Sequence, residues 1–151
     1  MRQVAEYDGL IIRGRGDTLG GWGSQRASAP DRPDEVAPDG AEVRLLARTE
    51  NASTAHFRVH PGQVTRAVMH RRIDEIWYVT TGKGEIWMSN NGAVAVQQVA
   101  LRPGLSLAIP QGTAFQCRNS GRVDLDIIAV QVPPWPGDDE AGIVDSIFDA
   151  D

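Results

Sequence analysis

The stretch PGQVTRAVMHRRIDEIWYVTTGKG, residues 61–84, holds an imidazole, His70, and a carboxylate, Glu75, among apolar Val68, Trp77 and Val79. Alternate side chains of a strand face one side. Val68 and His70 therefore share a face, and Glu75 opens the next strand with Trp77 and Val79 on its own face. Desolvation in such surroundings raises the pKa of a carboxylate and lowers that of an imidazole, while mutual proximity opposes both shifts. Either way the pair can exchange a proton near neutral pH, as a general acid and base must. The plainer alternative is an ion pair that only ties two strands together. Arg66, two residues before Val68, either steadies negative charge on a substrate carboxylate or enolate oxygen or sits in water at the rim.

Bringing these side chains together is work for short strands. After Gly40 the chain reads as nine period-two runs: AEVRLLART, TAHFRVH, TRAVMH, EIWYVTT, GEIWMS, AVAVQQVAL, LSLAIP, AFQCRN and LDIIAVQV. Turn signals such as His60-Pro61-Gly62, Asn90-Asn91-Gly92 and Pro110-Gln111-Gly112 separate them. Valine, isoleucine and tryptophan fill the runs, and no window of about eleven residues keeps a helical period. Strands at this spacing make an all-β sandwich or barrel, and the NNG between EIWMS and AVAV predicts a tight hairpin. Three parts are expected. Residues 1–40 are an N-terminal arm, with the apolar run Leu10–Ile12 as a possible swapped strand and Trp22 as an anchor. Residues 41–134 are the barrel. Residues 135–151 are a tail whose Trp135, Ile143, Val144, Ile147 and Phe148 pack on the barrel or on a partner; its prolines exclude a central strand.

Two spacings resemble those of the cupin superfamily. Gly62, Val68, His70, Glu75 and Gly82 fit its first motif, G-x5-H-x-H-x3,4-E-x6-G, and Gly104, Pro110, Gly112, Phe115 and Asn119 fit its second, G-x5-P-x-G-x2-H-x3-N. HRRIDEIWYVTTGKG followed by PPWPGDDEA is also similar to a bacterial subgroup of small cupins. The resemblance implies a single jelly-roll β-barrel (a double-stranded β-helix), commonly a homodimer. It implies that residue 115 returns to the site from the opposite sheet, and that three imidazoles and a carboxylate would hold a first-row metal. Here valine and phenylalanine stand at two of those four positions, and a tight site normally needs at least three protein ligands. No cofactor is therefore expected, with a weak divalent ion on His70 and Glu75 as the remaining metal option. His56 and His60 read as surface or turn histidines. Cys117, on the side of Phe115 if that strand is regular, reads as a small core residue that borders the pocket. Gln116 and Arg118 are further inward candidates, and Trp87 pairs with Trp77 as an aromatic wall.

Composition narrows the partners. The 151 residues carry a net charge of −5, with 41% hydrophobic and 23% charged residues. An acidic chain has no electrostatic reason to seek nucleic acid or anionic membranes. A single cysteine and the lack of a leader or a long apolar run suit a reducing cytoplasm. The expected ligand is a small apolar organic molecule. The expected activity is a non-redox isomerase, cyclase or lyase step; the resemblance adds bacterial polyketide cyclases as an analogy. In that expectation His70 moves the proton, Glu75 partners it, Arg66 steadies charge, and Val68, Trp77, Val79, Phe115, Cys117 and Trp87 shape the pocket. A non-catalytic binding cupin and a metal-dependent oxygenase or cyclase with an unusual ligand set are the alternatives.

Overall fold

The computed structural model describes residues 17–19, 24–90 and 96–147. The expectations placed on Leu10–Ile12, Trp22, Asn91-Gly92 and Phe148 lie outside them. Strands β1 (Asp17–Leu19) and β2 (Ser24–Arg26) pair with each other, and β3 (Glu35–Val36) joins the barrel. The nine period-two runs become β4 (Glu42–Arg48), β5 (Ser53–Val59), β6 (Val68–His70), β7 (Asp74–Thr81), β8 (Gly84–Asn90), β9 (Val96–Leu101), β10 (Ser106–Ile109), β11 (Thr113–Asn119) and β12 (Leu125–Val132). A 3-10 turn at Asp138–Glu140 leads into β13 (Ala141–Ile143).

Two antiparallel sheets face each other as an all-β jelly-roll barrel, in the orders β10-β7-β12-β5-β4-β3 and β13-β6-β11-β8-β9. Alternation sets the inner faces. On β7, Glu75, Trp77 and Val79 are buried while Ile76 and Tyr78 face out. On β12, Leu125, Ile127, Ala129 and Gln131 point inward. Each large apolar side chain buried this way contributes about 1.5–3 kcal/mol, which fixes the register, since a slip by one residue would turn every one of them to solvent.

The turn Arg71–Ile73 carries the chain from one sheet to the other, so His70 and Glu75 face each other across the barrel. Phe115 corrects the expectation that it arrives from the opposite sheet: it pairs directly with Val68 in the same sheet. Glu75 and Trp77 are the residues that come from across. The return crossing at Thr81-Gly82-Lys83-Gly84 runs tight against residues 124–125. Gly82 has φ +87°, and a Cβ there would meet the Asp124 carbonyl oxygen at 2.4 Å, so only glycine fits. No helix among the described residues is long and apolar enough to cross a membrane.

Candidate functional site

The barrel is filled at one end and open at the other. Val79, Ile86, Cys117, Leu125 and Ile127 close the filled end as part of the core. At the other end lies a concave cleft that opens to solvent, the kind of place where small-molecule sites are found. Its walls are chiefly apolar. Aromatic rings follow one another along it, edge to face: Phe57 to Trp77 at 6.4 Å, Trp77 to Phe115 at 5.7 Å, Phe115 to His70 at 5.2 Å and His70 to Trp135 at 5.4 Å.

His70 and Glu75 meet in this cleft. His70 Nδ1 lies 3.6 Å from Glu75 Oε2, too far for a hydrogen bond, and it is buried with no hydrogen-bond partner among the described residues. Burial pushes the imidazole down to about 4, against the pull of the Glu140 charge. Burial also pushes Glu75 up to about 7. Hydrogen bonds from Trp77 and Gln131 oppose that rise, and the Asp39 charge adds to it. Desolvation thus wins for both groups, and proximity does not restore the ion pair.

Glu75 is held firmly. Its Oε1 accepts from Trp77 Nε1, and its Oε2 accepts from Gln131 Nε2 at 3.2 Å. Gln131 is fixed in turn by the Ser53 hydroxyl, which donates to its Oε1 at 2.9 Å, while the Trp135 N–H donates to Ser53 Oγ at 2.9 Å. The C-terminal segment therefore reaches the carboxylate through two side chains. It also anchors the crossing turn. Glu140, fully buried, accepts from the backbone N–H groups of Arg72 and Ile73 and from Arg72 Nε. At the mouth stand Glu35, Asp39 and Asp138. Burial raises Asp39 to about 6. Burial raises Glu35 as well, helped by the charges of Asp138 and Asp34.

Of the residues expected from the sequence, Val68, His70, Glu75, Trp77 and Phe115 line the cleft. Four do not. Val79 and Cys117 follow Trp77 and Phe115 into the filled end, one alternation deeper, and burial pushes the Cys117 thiol well above its ordinary range. Trp87 sits on the other face of β8, with the Arg118 guanidinium 5.3 Å from its ring, because Ile86 takes the inward position. Arg66 is exposed. Residues 65–67 precede β6 and bond outside its ladder, Thr65 N–H to the Cys117 carbonyl and Arg66 N–H to that of Asp39. Ala67 and Val68 are consequently buried in succession, and the alternation that would have turned Arg66 inward is broken. Gln116 is buried away from the cleft, where its Oε1 accepts from Ser146 and Ile147.

Sequence reasoning missed Gln131, Trp135, Asp39, Glu35, Asp138 and Glu140. One signal was present: Gln131 is a polar residue on the inward period of the otherwise apolar LDIIAVQV. A metal is also a poor fit. Among the described residues no three of histidine, cysteine, aspartate and glutamate converge to hold one, and Val68 and Phe115 fill two of the four family ligand positions.

Residues 38–138 match the family model described as Cupin. Alginate biosynthesis protein AlgA of Pseudomonas fluorescens is 29% identical over 93 residues, which is 62% of this chain and 18% of that protein. The chain thus spans less than a fifth of the length of that relative. Among solved structures, a conserved Klebsiella pneumoniae protein with a double-stranded β-helix domain superposes with a TM-score of 0.58 at 19% identity, over 74% of this chain and 90% of that one. The capsular polysaccharide assembling protein CapF from Staphylococcus aureus gives 0.63 at 16%, over 74% and 34%. At these identities the two structures establish a shared fold.

Proposed function

This chain belongs to the cupin family, and from that premise we propose that it is an enzyme moving a proton on a small, largely apolar molecule without redox chemistry, in an isomerisation, cyclisation or elimination. The observation that carries this reading is a buried imidazole nitrogen, His70 Nδ1, that has no hydrogen-bond partner among the described residues and lies 3.6 Å from Glu75 Oε2, on two side chains that line an apolar cleft. Glu75, pushed up to about 7, is populated in both protonation states near neutral pH and is the group that gives and takes the proton. His70 stays neutral. Its Nδ1 accepts an N–H or O–H of the substrate and so places the reacting atom beside the carboxyl. This reverses the roles expected from the sequence, because burial moves the pKa of the imidazole away from neutral pH and that of the carboxyl towards it. Trp77 and Gln131 hold the carboxyl in position, and Phe57, Phe115 and Trp135 keep water out. The name of one relative refers to alginate biosynthesis and that of one structural neighbour to capsular polysaccharide assembly; a biosynthetic role for this chain is part of the proposal, with a substrate far less polar than a sugar.

The test is deuterium uptake in D2O by a panel of small cyclic ketones, enones and imines, read by mass spectrometry. The wild type is expected to exchange at least one of them. Glu75→Gln should slow that exchange by about 100-fold or more, the scale of general acid–base catalysis, and His70→Ala should slow it less. Saturable binding of these compounds with no exchange, or an undiminished rate in Glu75→Gln, overturns the assignment.

A further inference from the structure

The charge of the cleft is one-sided. Glu35, Asp39, Glu75 and Asp138 all line it. Among the described residues no lysine or arginine lines it, and none pairs with Glu35, Asp39 or Asp138. The positions are graded in depth: Glu75 is 1% exposed, Asp39 is intermediate, and Glu35 and Asp138 are open to water at the mouth. Among the described residues, a carboxylate or phosphate entering this cleft would meet only like charge, in a chain whose net charge is already −5.

A second, independent feature points the same way. His70 is 5% exposed and lines the cleft, and its Nδ1 has no hydrogen-bond partner among the described residues. An unpartnered buried ring nitrogen is costly unless something supplies its hydrogen bond. The rings of Trp77, Phe115, Phe57 and Trp135 supply the third element, since aromatic faces attract a cation, and more strongly where water is excluded. The carboxylates do not converge on a metal site among the described residues, so the cation they suit is an organic one.

We infer that the cleft takes a small organic ammonium ion, a protonated primary or secondary amine on an apolar body about the size of one ring. The apolar body lies among the aromatic side chains. One N–H donates to His70 Nδ1, and the charge is shared by Glu75 and the carboxylates of the mouth. A quaternary ammonium has no N–H to give, so it keeps the charge attraction and loses the bond to the imidazole. The inference rests on the reading of this cleft as a small-molecule site, though not on turnover.

The experiment uses four probes of similar shape: benzylamine, benzyl alcohol, benzoate and benzyltrimethylammonium. Binding to the full chain is followed by calorimetry and by the His70 and Trp135 resonances in NMR. Benzylamine is expected to bind at least about tenfold tighter than benzyl alcohol and more tightly than the quaternary ion, with benzoate weakest. Glu35→Gln/Asp138→Asn, at two exposed positions, should cut benzylamine affinity severalfold and leave benzyl alcohol unchanged. Benzyl alcohol or benzoate matching benzylamine at these resonances overturns the ammonium inference while the small-molecule site stands. If no probe shifts either resonance at millimolar concentration, both readings fall together. A double variant that binds benzylamine like the wild type also overturns the inference.

Discussion

Glu75 and His70 are moved in opposite directions by one cause, burial, and that gives each a separate signature in stability. Glu75 rises from an ordinary 4.5 to about 7. Its contribution is complete below pH 4.5 and is lost as pH climbs through 7. His70 falls from 6.5 to about 4. Its contribution is complete above pH 6.5 and is lost as pH falls through 4. Between pH 4.5 and 6.5 the two slopes, each about 1.4 kcal/mol per pH unit at most, cancel. Urea unfolding of single variants separates them. Stability of Glu75→Gln relative to wild type should rise with pH from 4.5 to 7, whereas that of His70→Gln should fall from 4 to 6.5. Parallel curves for wild type and both variants would show that neither group is shifted as described.

At the scale of elements, the short crossing from β6 to β7 does more than join two strands, and Glu140 is what holds it. The fully buried carboxylate accepts two backbone N–H groups there as well as the guanidinium of Arg72. Glu140→Ala leaves those two N–H groups without their partner, at a cost of about 1–3 kcal/mol each. Arg72→Ala removes only a side chain that is 69% exposed, a loss below about 1 kcal/mol. Thermal melts of the two variants should differ accordingly, and equal melting temperatures would mean that the ion pair, not the backbone, is what Glu140 serves. This turn also marks where the sequence stops being legible. The nine barrel strands follow from period-two runs and turn residues, because one face of each must be buried. His70, Glu75, Trp77 and Phe115 follow from the same alternation within regular strands. Arg66 does not, because its segment bonds outside the ladder. Glu35, Asp39, Trp135 and Glu140 lie in segments with no period, where long-range hydrogen bonds and packing, not spacing, bring a side chain to the site.

For the whole molecule, the consequence is that segments far apart in sequence meet at the cleft. Residues 35–39, just ahead of β4, and 135–141, just after β12, flank the same opening. The filled end of the barrel lies away from both: Ile86, Leu125 and Ile127 are completely buried and none of them lines the cleft. Deleting residues 135–151 should therefore spare the sheets and dismantle the site. The deletion removes the N–H that orients Ser53, the ring against His70, the carboxylate of the crossing turn and the β13 edge on β6. Loss of Trp135 burial contributes about 2 kcal/mol and the Glu140 contacts about 2–6 kcal/mol. Together these lower the melting temperature by about 8–32 °C for a domain of this size. Far-UV circular dichroism should keep its β signature, and benzylamine affinity should drop at least as far as in Glu35→Gln/Asp138→Asn. A shortened chain with the wild-type melting temperature and affinity would place the closure of the cleft elsewhere, because no truncation that removes Trp135 and Glu140 together can leave this arrangement of Ser53, Gln131 and Glu75 intact.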